Sequence, residues 1–277
     1  MSTSLDSLPI IDLSLLAGDG ADVAAFDQAL LRATHEVGFF YLVGHGIPGG
    51  VVEHLFAEAE RFFALPEADK LDVEMTRSPH FRGYTRTGGE LTEGRVDWRE
   101  QIDVGAERDL VTGGAAYNRL EGPNLWPDAL PSLRPTLTDW SQRCSIIGMT
   151  LLRAWARALG AAEDRFDDAF DRPSTLIKLV RYPGRDGDKR QGVGAHKDPG
   201  VLTLLMIEPE KAGLQVEHGT DWIDAPPVPG AFVVNIGELM EFVTDGYLRA
   251  TRHRVLPPPA AASRLPLPFF FTPSVAP

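Results

Sequence analysis

The chain of 277 residues is 43% hydrophobic and 24% charged, the proportions of an ordinary folded protein, and is long enough to bury a substantial core as one large domain or two small ones. Acidic residues outnumber basic ones 39 to 27, a formal net charge of −12, which argues against nucleic-acid and anionic-membrane partners, since either needs a concentrated basic surface. The only cysteine is Cys144, so no internal disulfide forms; with no basic, apolar leader in MSTSLDSLPIIDLS and no run of membrane-spanning length, the expected location is the cytoplasm.

In chain order, LPIIDLS from Leu8 reads as a short strand. Asp22 to Val37 carries Val23, Phe26, Leu30, Ala33 and Val37 at helical spacing, and Gly38 ends that helix. FFYLVGHGIP then reads as a strand and turn. A second helix, roughly Gly50 to Leu65, aligns Val51, Leu55, Ala59 and Phe62. Phe81 to Pro135 is rich in Gly and Pro and shows no clear period. A long helix, about Leu137 to Leu159, keeps Leu137, Trp140, Cys144, Ile147, Leu151 and Trp155 in register. From Ser174 the period shortens to strands bounded by Gly and Pro: STLIKLVRYP, GVGAHKD, GVLTLLMI, GLQVEH, WIDAP, GAFVVNIG, ATRHRVL and RLPLPFFF. Such a series suggests a sandwich or barrel, with the long helix covering one face, in a single α+β unit.

Within GVGAHKDPGVLTLLM, His196 and Asp198 stand two residues apart just ahead of an apolar run. On a strand that spacing puts both side chains on one face, with Lys197 pointing away. Among the other histidines, His218 falls at the end of GLQVEH and is read as a loop residue, whereas His253 lies within a β-like segment of the strand-rich half, ATRHRVL. Two imidazoles and one carboxylate on one side of a metal leave positions open, which suits non-haem Fe(II) and O₂ chemistry. Zinc with a bound water satisfies the same ligands.

The chain resembles the Fe(II)/2-oxoglutarate-dependent oxygenases of the isopenicillin N synthase-like family. The matching stretches run in family order from about residue 8 to residue 272: LPIIDLS, EVGFFYLVGHGIP, RGY, DWREQIDVG, EGPNLWP, LVRYP, GAHKDPGVLTLL, GLQV, PGAFVVNIGELMEFVTDGYLRATRHRV and RLPLPFFF. The resemblance implies an α+β fold with a double-stranded β-helix (jelly roll) core, about residues 174–272, preceded by a helical and loop region, about residues 1–135, and covered by N-terminal and central helices. It implies Fe(II) held by His196, Asp198 and His253, with 2-oxoglutarate and O₂ as co-substrates. Arg264 in RLPLPFFF matches the arginine that clamps the far carboxylate of 2-oxoglutarate, a task suited to a bidentate guanidinium. Tyr182 in LVRYP matches the tyrosine whose hydroxyl reaches the same acid, and Arg82 in RGY matches a position that contacts substrate carboxylates in some relatives. The implied reaction couples oxidative decarboxylation of 2-oxoglutarate, to succinate and CO₂, to oxidation of a substrate C–H. Hydroxylation is its usual outcome, with desaturation or cyclisation as variants. The expected partner is a small-molecule substrate, and the expected state a monomer or weak homo-oligomer. A 2-oxoglutarate-independent oxidase of the same fold and a non-catalytic ligand-binding jelly roll stand as alternatives.

The sequence departs from the family pattern in three places. Where the family has Ser or Thr two residues after the arginine, this chain has Pro266, which offers neither hydroxyl nor N–H. Ser263 cannot substitute, since alternation turns it from Arg264. Pro199 follows Asp198 where other side chains are common, and favours extended backbone at the ligand. The sequence closes on FFFTPSVAP where relatives usually continue into a covering segment, so an open mouth, a bulky substrate or a shortened enzyme is expected.

Overall fold

The computed structural model describes residues 7–110, 113, 115–184, 191–259 and 262–275; most of the stretch read for a leader, residues 1–6, lies outside them. A short strand, β1 (Ile10–Asp12), leads into α1 (Gly20–Glu36), whose first N–H groups are capped by the Asp19 side chain at 2.8 and 3.2 Å. This helix buries Phe26, Leu30 and Ala33, and Gly38, at φ 78°, turns the chain into β2 (Phe39–Val43). The helices α2 (Gly49–Phe63) and α3 (Glu67–Asp72) follow. The Gly- and Pro-rich region without a clear period contains four strands: β3 (Gly83–Thr85), a small hairpin of β4 (Leu91–Thr92) and β5 (Arg95–Val96), and β6 (Glu100–Gly105). Their signal is masked in sequence because β6 is buried yet written with charged residues, Glu100 and Asp103, that find partners across the sheet.

The long helix, α4 (Leu133–Ala158), starts a turn earlier than expected and buries the anticipated stripe from Leu137 to Trp155. The strand-rich half follows as β7 (Ser174–Pro183), β8 (Val193–His196), β9 (Leu202–Ile207), β10 (Leu214–His218), β11 (Asp221–Asp224) and β12 (Phe232–Ile236). The short helix α5 (Glu238–Val243) precedes β13 (His253–Val255), β14 (Ser263–Arg264) and β15 (Pro266–Thr272).

Two sheets carry the architecture. The larger runs β1-β2-β12-β9-β15-β7-β6-β3, with β14 also paired to β7; the smaller runs β11-β10-β13-β8. Both line one cavity, in a jelly-roll arrangement. The helix α4 packs against β7, β9 and β15 on the outer face of the large sheet and against α1 and α2. With a helix on one side and cavity on the other, the central strands read as almost continuous apolar runs, FVVNI in β12 and LTLLMI in β9. One core joins Phe26, Leu55 and Phe62 of the helices to Leu179, Leu204, Phe232 and Phe269 of the large sheet. The strand carrying Pro266 and Pro268 is not an edge strand: β15 lies between β9 and β7. The two prolines sit where it pairs with β9 alone, and pairing to β7 starts at Phe269, so no ladder bond to β7 is lost. Among the described residues, no helix is long and apolar enough to cross a membrane.

Candidate metal and co-substrate site

The two histidines meet because β8 and β13 are antiparallel neighbours and His196 stands directly opposite His253 in their register. Their ring centroids are 4.3 Å apart. Asp198 arrives by a different route from the one its spacing suggested. Strand β8 ends at His196, so Asp198 lies in the irregular turn beyond it, and strand alternation does not orient it. Its backbone carbonyl accepts a 2.7 Å bond from Glu238 N–H at the start of α5. Lys197, expected to point away, lines the cavity and pairs with Glu241 at 2.9 Å.

Hydrogen bonds fix which atom each side chain presents. His196 Nδ1 lies 2.8 Å from Gly194 O, and His253 Nδ1 lies 3.2 Å from Thr251 O. A carbonyl only accepts, so Nδ1 carries the proton in each ring and Nε2 keeps its lone pair. Asp198 Oδ2 accepts from Thr203 Oγ1 at 2.6 Å and from Asn235 Nδ2 at 2.8 Å. That leaves Oδ1, which lies 3.5 Å from His196 Nε2 and 3.8 Å from His253 Nε2. One donor atom from each residue lies within 4.8 Å of the others, a separation that a single divalent ion can span. Two imidazole nitrogens and one carboxylate oxygen are a donor set suited to a borderline divalent ion with positions left open.

Electrostatics favour a cation here. Burial works against charge on Asp198, but His253, His196, Thr203 and Asn235 outweigh it and hold the carboxyl below the usual carboxylate range. Burial pulls His253 below the ordinary imidazole value, and although burial also opposes charge on His196, the Asp198 carboxylate beside it raises it. Thr203 and Asn235 escaped sequence reasoning. The available signal was a lone polar residue inside each of two apolar strands, LTLLMI and FVVNI.

A cavity of about 940 Å³ opens from the three donors and is lined by Phe39, Tyr182, Leu205, Leu214, Pro266 and Phe270, among others. Arg82 is on its wall, buried, with Nη1 and Nη2 donating to the carbonyls of His80, Phe81 and Leu120. Its buried Nε has no partner. Nearby, Lys178 faces the cavity and pairs with Asp103, its direct neighbour on β6, at 2.6 Å.

Arg264 is buried beside Tyr182, its Cζ 4.9 Å from the ring centroid, and is not itself a wall residue. Nη1 donates to Ala212 O at 2.6 Å and Nη2 to Leu256 O at 3.1 Å, while the buried Nε has no partner. Burial pulls this guanidinium below its ordinary value, with Tyr182 and Glu208 opposing, which is the condition of a buried cation short of an anion. Gly213 makes the placement possible: at φ 139°, its missing Cβ would fall 1.9 Å from Arg264 Nη1. The orphaned donor and the adjoining cavity fit an acid such as 2-oxoglutarate.

The chain matches known proteins along most of its length. Residues 8–129 match the family described as non-haem dioxygenase in morphine synthesis N-terminal, and residues 174–273 match the 2OG-Fe(II) oxygenase superfamily. A 2-oxoglutarate-dependent dioxygenase (frbJ) of Dothideomycetidae sp. (strain 11243) is 38% identical over 276 residues, which span 96% of this chain and 74% of that one. A homoarginine-6-hydroxylase of Arabidopsis thaliana is 35% identical over 271 residues, 92% of this chain and 82% of its own. The structure of a full-length Neurospora crassa protein in complex with alpha-KG and thymine superposes with a TM-score of 0.86 at 26% identity, covering 99% of this chain and 88% of that one.

Proposed function

We propose, for a chain that belongs to the 2OG-Fe(II) oxygenase superfamily, that His196, Asp198 and His253 hold its iron, Arg264 and Tyr182 its 2-oxoglutarate, and Arg82 its substrate. The protein is a dioxygenase that uses Fe(II), 2-oxoglutarate and O₂ to oxidise a C–H bond of a small organic substrate. Bound Fe(II) supplies O₂ activation, coupled to conversion of 2-oxoglutarate to succinate and CO₂; in hydroxylation one oxygen atom enters succinate and the other the substrate.

One observation carries the residue assignment: each of the three donors has its second polar atom committed elsewhere, leaving one free ligand atom per residue, and these three atoms lie within 4.8 Å of one another. The protein's own work is then positional. The Nδ1–H bonds hold the rings, Thr203 and Asn235 hold the carboxylate, and Phe39, Leu205 and Leu214 keep water from the reacting centre. Arg264 Nε, with no partner of its own, supplies an N–H to the far carboxylate, and the Tyr182 hydroxyl adds another donor. Arg82, with its spare Nε on the cavity wall, receives an anionic group of the substrate, beside the Lys178–Asp103 pair. An amino-acid-like molecule suits a wall carrying both signs of charge, and homoarginine and thymine, named for relatives, are the first substrates to try. The lone thiol of Cys144 fits a reducing, cytoplasmic location.

The test is succinate release from Fe(II), 2-oxoglutarate and O₂ with each candidate substrate, with product mass read in parallel. Succinate that rises with substrate, and is lost in His253→Ala, supports the assignment. Arg82→Met should raise the substrate KM while the slow substrate-free succinate formation stays as it was. Full turnover in His253→Ala protein of verified metal content would remove that residue from the triad.

A further inference from the structure

Arg99 shares the cavity wall with Tyr182 and His196 and is reached from a different part of the chain, between β5 and β6. Its side chain is only 14% exposed. Nη2 donates to Glu90 Oε2 at 2.6 Å and stands 3.5 Å from Asp97 Oδ2. Burial opposes its charge, but Tyr182, Glu90 and Asp97 outweigh this. Its buried Nε has no partner.

Two guanidinium groups therefore flank one tyrosine, Arg264 over its ring and Arg99 on the same cavity wall, and each keeps a buried Nε–H without a partner among the described residues. The carboxylates facing Arg99 are already shared. Glu90 also accepts from Gln101, and Asp97 accepts from Thr92 and Gln191. Pro266, on the same cavity wall, brings no hydrogen-bond donor.

We propose that Arg99 is a second binding residue for the far carboxylate of 2-oxoglutarate, supplying from the β6 side the charge-assisted hydrogen bond that Pro266 cannot. This rests on the assignment of Arg264 and Tyr182 to that carboxylate. On binding, the orphaned Arg99 Nε–H and the Tyr182 hydroxyl both donate to the anion, while Glu90 competes with it for the charge of the guanidinium. The competing role for Arg99 is a structural clamp that ties the β4–β5 hairpin to the sheet through Glu90 and Asp97.

Anaerobic titration of the full-length, Fe(II)-loaded protein separates these roles, read by the visible charge-transfer band of 2-oxo-acid chelation. Pyruvate serves as the control probe, since it offers the same chelating head without a far carboxylate. Arg99→Met should weaken 2-oxoglutarate binding about tenfold or more while pyruvate and Fe(II) affinities stay within about twofold. Glu90→Gln removes the guanidinium's ion-pair partner and keeps the guanidinium, so 2-oxoglutarate should bind as well as before or better. A clamp predicts instead the same loss in both variants. Arg99→Lys, which retains charge and the pairing with Glu90, should show a smaller loss confined to 2-oxoglutarate, and it serves if the methionine variant does not fold. Unchanged 2-oxoglutarate affinity in Arg99→Met, or equal weakening of both acids, overturns the proposal. Absence of any band in the wild-type protein with 2-oxoglutarate would instead overturn the assignment of Arg264 and Tyr182.

Discussion

At the metal end of the cavity the hydrogen bonding of the three donor side chains is closed except toward one point: both Nδ1–H groups are given to backbone carbonyls, and Asp198 Oδ2 is shared by Thr203 and Asn235. The carboxylate end differs. Arg264 and Arg99 are largely withdrawn from water, each retains an Nε–H with no partner, and Pro266 contributes no donor. A buried donor left unpaired costs about 1–3 kcal/mol, a cost relieved only when an acceptor arrives. On the proposed assignment, the metal end is thus organised by the fold, while the carboxylate end is completed by its ligand. Substitutions should be close to all-or-none at the first and graded at the second.

The largest effect should come from Asp198→Ala, which removes the only anionic donor and leaves two imidazoles facing one another; Fe(II) binding by calorimetry and all turnover should disappear. Retained stoichiometric iron would break the comparison at its firmer end. Asn235→Ala keeps the donor set and frees one hold on the carboxylate, so Fe(II) affinity should fall about 10- to 100-fold. A smaller change would mean that Thr203 alone fixes Asp198. At the other end, Gly213→Ala forces a Cβ into Arg264 Nη1, and 2-oxoglutarate binding in anaerobic titration should weaken about tenfold, with Fe(II) affinity little altered. The smallest effect is a gain: Pro266→Ser adds a hydroxyl on the cavity wall and should tighten 2-oxoglutarate several-fold, toward the low end of about ten- to a hundredfold, because other donors already share the carboxylate. Weaker binding in the serine variant would show that the pyrrolidine ring shapes the pocket.

Much of this was legible in the sequence, and the exceptions have physical reasons. Helices α1, α2 and α4 and the strand series from Ser174 follow apolar periodicity, because each buries one continuous stripe or face. Strand β6 was not legible because burial there is paid for by ion pairs, Lys70 and Arg181 on Glu100 and Lys178 on Asp103, which a pattern of apolar residues does not register. The three residues singled out in the sequence do lie together, but for Asp198 the spacing argument rested on the wrong geometry, since the strand stops at His196. Arg264 and Tyr182 lie together, as the family pattern implied, yet Arg99 and Gly213 could not be read, because their roles depend on contacts between distant segments.

The position of β15 bears on how the molecule is made. Among the described residues, the blocks β1-β2-β12-β9 and β7-β6-β3 pair only through this strand, the last of the sheet in chain order. Until residues 266–272 insert, β9 and β7 each present a bare row of N–H and C=O groups, an open template for pairing with another chain. A nascent polypeptide leaving the ribosome must hold those edges apart until residues 266–272 emerge, and contacts so distant in sequence form slowly. Closure of the large sheet therefore waits on this one segment, and a chain interrupted before residue 266 leaves two unjoined half-sheets in place of a smaller enzyme.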